Sequence, residues 1–87
     1  MLTDYVHAAM QRATYKIFQE DGSYFGEIPG LQGVYANEPT LEACRDELQS
    51  VLEDWILFSL SHHLPIPVLE GIDLNLDLTP VYTEDVA

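Results

Sequence analysis

Residues 15–40 read YKIFQEDGSYFGEIPGLQGVYANEPT, and this stretch decides the fold. Residues 14–20 are rich in strand formers, which pack well on a pleated surface. Asp21-Gly22 follows, a dipeptide suited to the positive φ angles of a hairpin turn. Residues 23–28 return as a second strand, and Pro29, with no N–H to donate, ends its pairing. Pro29-Gly30-Leu31-Gln32-Gly33 is a turn with two glycines, and Val34-Tyr35-Ala36 makes a third short strand. Residues 14–36 thus predict a three-stranded antiparallel β-meander.

The chain on either side completes an α+β domain. Asn37-Glu38-Pro39-Thr40 opens the main helix, placed over 40–63, with Thr40 as N-cap and Glu42 in the first turn, where the helix dipole favours an acid. Its apolar stripe is Leu41, Cys44, Leu48, Val51, Leu52, Trp55, Ile56 and then Ser59 or Leu60, with Leu57 and Phe58 widening the apolar surface near the end. Leu64-Pro65-Ile66-Pro67 stops the helix, because two prolines cannot continue it. Upstream, residues 2–13 carry Leu2, Tyr5, Val6, Ala9, Met10 and Ala13 at helical spacing, with Thr3 as the expected cap. Downstream, Ile72, Leu74, Leu76 and Leu78 alternate with Asp73, Asn75 and Asp77, which predicts a half-buried last strand over 72–78. The expected architecture is one long helix on a small antiparallel sheet with an extra N-terminal helix, all in one domain over 1–87.

Composition narrows the function. The 87 residues hold 15 Asp and Glu against 3 Lys and Arg, a formal net charge of -12. Such a surface repels phosphate, so direct nucleic-acid binding is not expected, and neither is attraction to an anionic membrane. A basic protein is attracted and steered instead. A domain this short buries only about 60–65% of its unfolded surface, which favours oligomers, with a homodimer or tetramer expected. Cys44 stands alone, so no internal disulfide forms, and the amino terminus lacks the basic region of a signal peptide; a cytoplasmic location follows as an expectation.

Catalytic chemistry finds little footing. There is no P-loop, no G-x-S-x-G and no Cys–His arrangement. His62 and His63 point about 100° apart on a helix and read as helix-end residues. The carboxylates are scattered, whereas a two-metal site needs them converged. Cys44 falls on the apolar stripe and reads as a structural thiol, and Trp55 as core or subunit interface. Gly22, Gly26, Gly30 and Gly33 serve turns and close packing. No cofactor, no metal and no enzymatic activity are expected.

These motifs, in their order, resemble the HicB family of antitoxins. The matching elements are Glu20-Asp21-Gly22-Ser23-Tyr24, Pro29-Gly30-Leu31-Gln32-Gly33, Thr40-Leu41-Glu42-Ala43, Trp55 and the exit at Ile66-Pro67, so the likeness spans residues 14–67. The resemblance implies a truncated RNase H-like fold without its nuclease site. It also implies the role of antitoxin in a type II toxin–antitoxin system, binding and occluding a small basic HicA-like toxin that cleaves mRNA. Gly22, Tyr24, Pro29, Gly33, Thr40, Glu42 and Trp55 carry the family pattern and have structural roles by this account. Asp73 and Asp77 are the acidic candidates for facing the partner. Many members carry a C-terminal DNA-binding domain, and nothing after Ile66 here resembles one, so none is expected; the chain also has Glu38-Pro39 before the helix where a Gly is common, and adds residues 2–13. A solitary HicB-like structural or regulatory dimer without a toxin is the alternative, and a hydrolase on the same sheet a third reading.

Overall fold

The computed structural model describes residues 1–75. Helix α1 spans Leu2–Gln11, strands β1, β2 and β3 span Thr14–Ile17, Tyr24–Glu27 and Tyr35–Glu38, and helix α2 spans Leu41–Ser61. The strands form one antiparallel sheet in the order β1-β2-β3. Across its centre Tyr15 lies opposite Gly26 and Gly26 opposite Ala36. The α+β class and the three-stranded meander expected from the sequence are both present.

Helix α2 covers one face of this sheet. Cys44, Leu48, Leu52 and Ile56 follow at four-residue spacing, all fully buried, so one narrow stripe faces β2 and β3 throughout. Thr40 caps the helix as expected: its Oγ1 accepts the Ala43 N–H at 3.1 Å. At the other end His63 takes a left-handed conformation (φ 56°), and the Leu64 N–H reaches back to the Ser59 carbonyl at 2.8 Å. This closure, usually made with glycine, satisfies a terminal carbonyl just before Pro65.

The close approach of helix to sheet depends on Gly26. A Cβ there would stand 2.8 Å from two ring carbons of Tyr15 and 3.1 Å from Cys44 Sγ. Beyond this contact, Ile28, Leu31 and Val34 plug the end of the core. Helix α1 packs Tyr5, Val6 and Ala9 into it, and the Tyr5 hydroxyl donates to the Pro67 carbonyl at 2.6 Å, tying the first helix to the chain after α2. Burial pushes the Tyr5 phenol above its ordinary pKa, with Arg12 pulling weakly the other way.

Several local expectations change. Thr3 does not cap α1; Met1 holds that position and accepts the Tyr5 N–H through its carbonyl. Asn37 and Glu38 belong to β3 rather than to the helix entry, because they pair with Phe25 and Tyr24. The hairpin is wider than two residues, with Phe18 and Ser23 still bonded beyond the strand ends. The last strand expected over 72–78 does not form in its described part. Leu69 and Ile72 make an isolated bridge around Glu70 and Gly71, both at positive φ, and Asp73 to Asn75 then leave extended pairing. Leu74 is nonetheless buried, so the alternation correctly marked which side chain enters the core. Residues 76–78, Asp77 and Pro80 lie outside the described residues. No helix among the described residues is long and apolar enough to cross a membrane.

Replacing Gly26 by Ala should lower stability by about 1–3 kcal/mol, since the new methyl must displace a tyrosine ring and a buried sulfur together. Urea unfolding midpoints of the two chains would show this; equal midpoints would mean that helix and sheet have room to part.

Candidate functional site

The pattern residues are spread through the fold and do not converge on a pocket. Gly22 sits exposed in the β1–β2 connection at φ 72°, its N–H donating to the Phe18 carbonyl at 2.8 Å. Pro29 and Gly33 border the β2–β3 turn, whose Leu31 and Val34 are buried. Tyr24 and Trp55 pack half-buried against the core from β2 and α2. Thr40 and Glu42 stand at the start of α2.

A side-chain network stiffens the hairpin. The Ser23 N–H donates to Asp21 Oδ1 at 2.9 Å, and Asn37 Nδ2 donates to Ser23 Oγ at 2.9 Å and to the Tyr24 carbonyl at 2.8 Å. Bonds from Ser23, its hydroxyl first and then its backbone N–H, hold the Asp21 carboxyl below the usual aspartate range. This is the Asx-turn chemistry that suits Asp to turns.

Asp73 acts within the chain. Its Oδ1 accepts the Asn75 N–H at 2.8 Å and Nδ2 at 2.9 Å. The oriented Asn75 side chain then pairs both backbone groups of Ile66, accepting its N–H and donating to its carbonyl, each at 2.7 Å. An amide thereby does for Ile66 what a neighbouring strand would do. Asp73 remains exposed, but its oxygen is committed to this clamp. Asp77 lies outside the described residues.

The histidines make no site. His62 Nδ1 lies 2.9 Å from the Phe58 carbonyl, and its ring stacks on Phe58 at 4.1 Å between centroids. No cluster of three or more His, Cys, Asp or Glu that could hold a metal occurs among the described residues. Cys44 lies 3.5 Å from the Ala36 carbonyl with no exposure, and burial pushes its thiol up, away from the reactive thiolate.

What α2 leaves uncovered is the other face of the sheet. Register places Lys16, Phe25 and Asn37 in one cross-strand row there, and Thr14, Glu27 and Tyr35 in the next. Phe18 and Phe25 stack at 5.6 Å, and Phe25 and Tyr35 at 5.9 Å. Lys16 Nζ lies 5.4 Å from the Phe25 ring centre and 5.7 Å from that of Phe18. Shallow depressions flank this ladder, one of about 450 Å³ beside Phe18, Glu20, Asp21 and Asn37 and one of about 430 Å³ between Glu27 and Tyr35. A second uncovered apolar region, a groove of about 300 Å³, runs between α1 and α2 past Leu2, Val6, Ile56 and Leu57. The sequence groups Phe18, Phe25 and Tyr35 with Tyr15 and Tyr24 as sheet aromatics. Strand parity, once the register is known, separates the three outward rings from the two inward ones.

Known proteins share this architecture. The family described as UPF0150-like matches residues 4–67. The crystal structure of TTHA0281 from Thermus thermophilus is similar at 43% identity and a TM-score of 0.77, covering 84% of this chain and 96% of that one. No curated protein matches.

Two measurements check these assignments. Because its folded pKa is depressed, Asp21 contributes stability above the ordinary aspartate range and loses it as pH falls through the lowered value. Asp21→Asn should therefore reduce stability at neutral pH and flatten part of the acid limb of a pH-stability curve; an unchanged limb would show that the turn does not hold its carboxylate. Trp55, half-buried, should cost about 1.5–3 kcal/mol on change to Ala, less than the fully buried Leu52 at about 2–5 kcal/mol. The reverse order in denaturant unfolding would place Trp55 deeper in an interface.

Proposed function

This chain belongs to the UPF0150-like family, and from that premise we propose that it works by binding a protein, as a HicB-type antitoxin that occludes a small basic HicA-like toxin. The observation that carries the reading is the uncovered aromatic face of the sheet in a chain whose formal charge is -12. An exposed aromatic surface supplies contact area at low entropic cost, and the surrounding acids speed encounter with a basic partner. Neutralising such a toxin needs steric blockage of its RNA-binding surface and no chemistry from the antitoxin itself. The buried Cys44 and the exposed, unclustered histidines are compatible with a protein that is not an enzyme. On this reading the protein works in the cytoplasm, where a free thiol persists.

The α1–α2 groove favours an additional role for self-association. Leu57 lines it at 60% exposure beside the exposed Leu2, and a homodimer or tetramer would cover them. A solitary HicB-like dimer, regulatory or structural, would use this surface alone.

Co-expression with the product of the adjacent gene tests the proposal. Stable capture of a small basic protein, with growth restored in cells expressing it, is the expected result. Absence of both capture and rescue, with a stable dimer seen by sedimentation, would replace the antitoxin by the solitary dimer.

A further inference from the structure

We infer that the β2–β3 half of the uncovered sheet face is a docking point for an arginine of a basic protein partner, its guanidinium stacked on Tyr35 and paired with Glu27. The inference rests on the protein-binding reading above and gives that surface a recognition chemistry.

Tyr35 and Glu27 are directly opposed across β2 and β3, so their side chains leave the same face as neighbours. Tyr35 is 58% exposed and lies on an edge strand, at the end of the ring ladder. Its stacking partner Phe25 covers one side of it. The chain's own cation on this face, Lys16, sits toward the other end, over Phe25 and Phe18. That end already shows that the ladder accepts a positive charge; the Tyr35 end has none. Among the described residues the ion pairs are those of the amino terminus with Asp4 and of Arg12 with Glu70, so Glu27 has no basic partner within 4 Å. Glu27 and Tyr35 also line the same shallow depression, floored by the Pro29–Gly33 turn. Space is open above Gly30 and Gly33, where an added Cβ would meet nothing within 4 Å. An incoming backbone can therefore approach closely.

The geometry selects the occupant. An acid beside an exposed ring suits a planar cation that stacks and pairs at once, which is guanidinium rather than ammonium. Nucleic acid is disfavoured, because its phosphates would face Glu27 in a strongly acidic chain. A second copy of this chain is a poor donor as well. It carries only 3 Lys and Arg, of which Arg12 is held by Glu70, Lys16 already lies over Phe18 and Phe25, and Arg45 stands near Tyr15 on the other face of the sheet.

Titration of the full-length, isotope-labelled chain with an oligo-arginine peptide, an oligo-lysine peptide of equal length and a single-stranded RNA provides the test. Amide shifts should move at Glu27, Gly30, Gly33 and Tyr35, with the arginine peptide binding about 3–10-fold more tightly than the lysine peptide, the size of a stacking contribution at an exposed site. Glu27→Gln and Tyr35→Ala should each weaken arginine binding about 5–10-fold, while Tyr35→Phe, which keeps the ring, stays within about twofold. Asp46→Asn and Glu53→Gln on the outer side of α2 serve as charge controls and should change binding by less than about twofold. Shifts centred on α2, equal losses in the two sets of variants, indifference to arginine over lysine, or preferential RNA binding would each overturn the assignment. The antitoxin reading is separated by repeating the co-capture with the same variants. A toxin captured equally well by Glu27→Gln and Tyr35→Ala removes this docking point and leaves the antitoxin; arginine binding at this face with no toxin captured does the opposite.

Discussion

A single helix can cover only one face of a three-stranded sheet, and here the covering depends on one position without a Cβ. Gly26, at the centre of β2, lets Tyr15 and Cys44 meet over the strand. The helix consequently sits low enough for Leu48, Leu52 and Ile56 to be wholly buried in so short a chain. Small domains have little core to spare, so a separation of even a methyl group between helix and sheet would be felt along the whole α2 stripe. The same contact explains the inert thiol. Cys44 is the small apolar residue that fits above glycine, and its burial follows from packing rather than from chemistry.

The opposite face follows from the same economy of elements. With α1 used to extend the core beside α2, no helix or strand among the described residues covers the outer side of the sheet. Antiparallel sheets tolerate one solvated face, but that face is normally polar. Here three rings occupy it, shielding one another by stacking, with the Lys16 ammonium over Phe18 and Phe25. The acids nearby keep this surface soluble. An exposed apolar strip rimmed by charged groups is the pattern that marks protein-binding surfaces in general.

Local chemistry was legible where one residue decides the conformation. Asp21-Gly22, Pro29, the paired glycines, Thr40 and the proline exit each fix a turn, a stop or a cap without help from distant residues, and the α+β order followed. The periodic stripe of α2 identified Cys44, Leu48, Leu52 and Ile56 as buried for the same reason, although it also counted Leu41, which the helix start leaves exposed. The candidate site was less legible because it is a property of register: Phe18, Phe25 and Tyr35 become one ladder only after β1, β2 and β3 are aligned. The Asn75 clamp on Ile66 is likewise invisible in the sequence, since alternation of Ile72 to Leu78 favours a strand and does not reveal that Glu70 and Gly71 take positive φ. Asp73 then changes character, from an acid on an outer strand face to the residue that orients Asn75.

Charge joins the packing to the proposed role. A chain with 15 acids and 3 bases resists its own compaction, because the like charges are closer together folded than unfolded. Among the described residues two acids are relieved internally: Glu70 has Arg12 and Asp4 has the amino terminus, both at the surface, where such pairs contribute little. A basic partner would lower this repulsion for the folded state and offer nothing comparable to the unfolded one, so binding would raise stability by mass action. Glu27 sits where the two effects meet, beside the exposed ring of Tyr35 and without a cation of its own among the described residues. A marginal core, an uncovered aromatic face and an excess of acid are then parts of one arrangement, in which the chain folds alone and the proposed complex would complete its electrostatics.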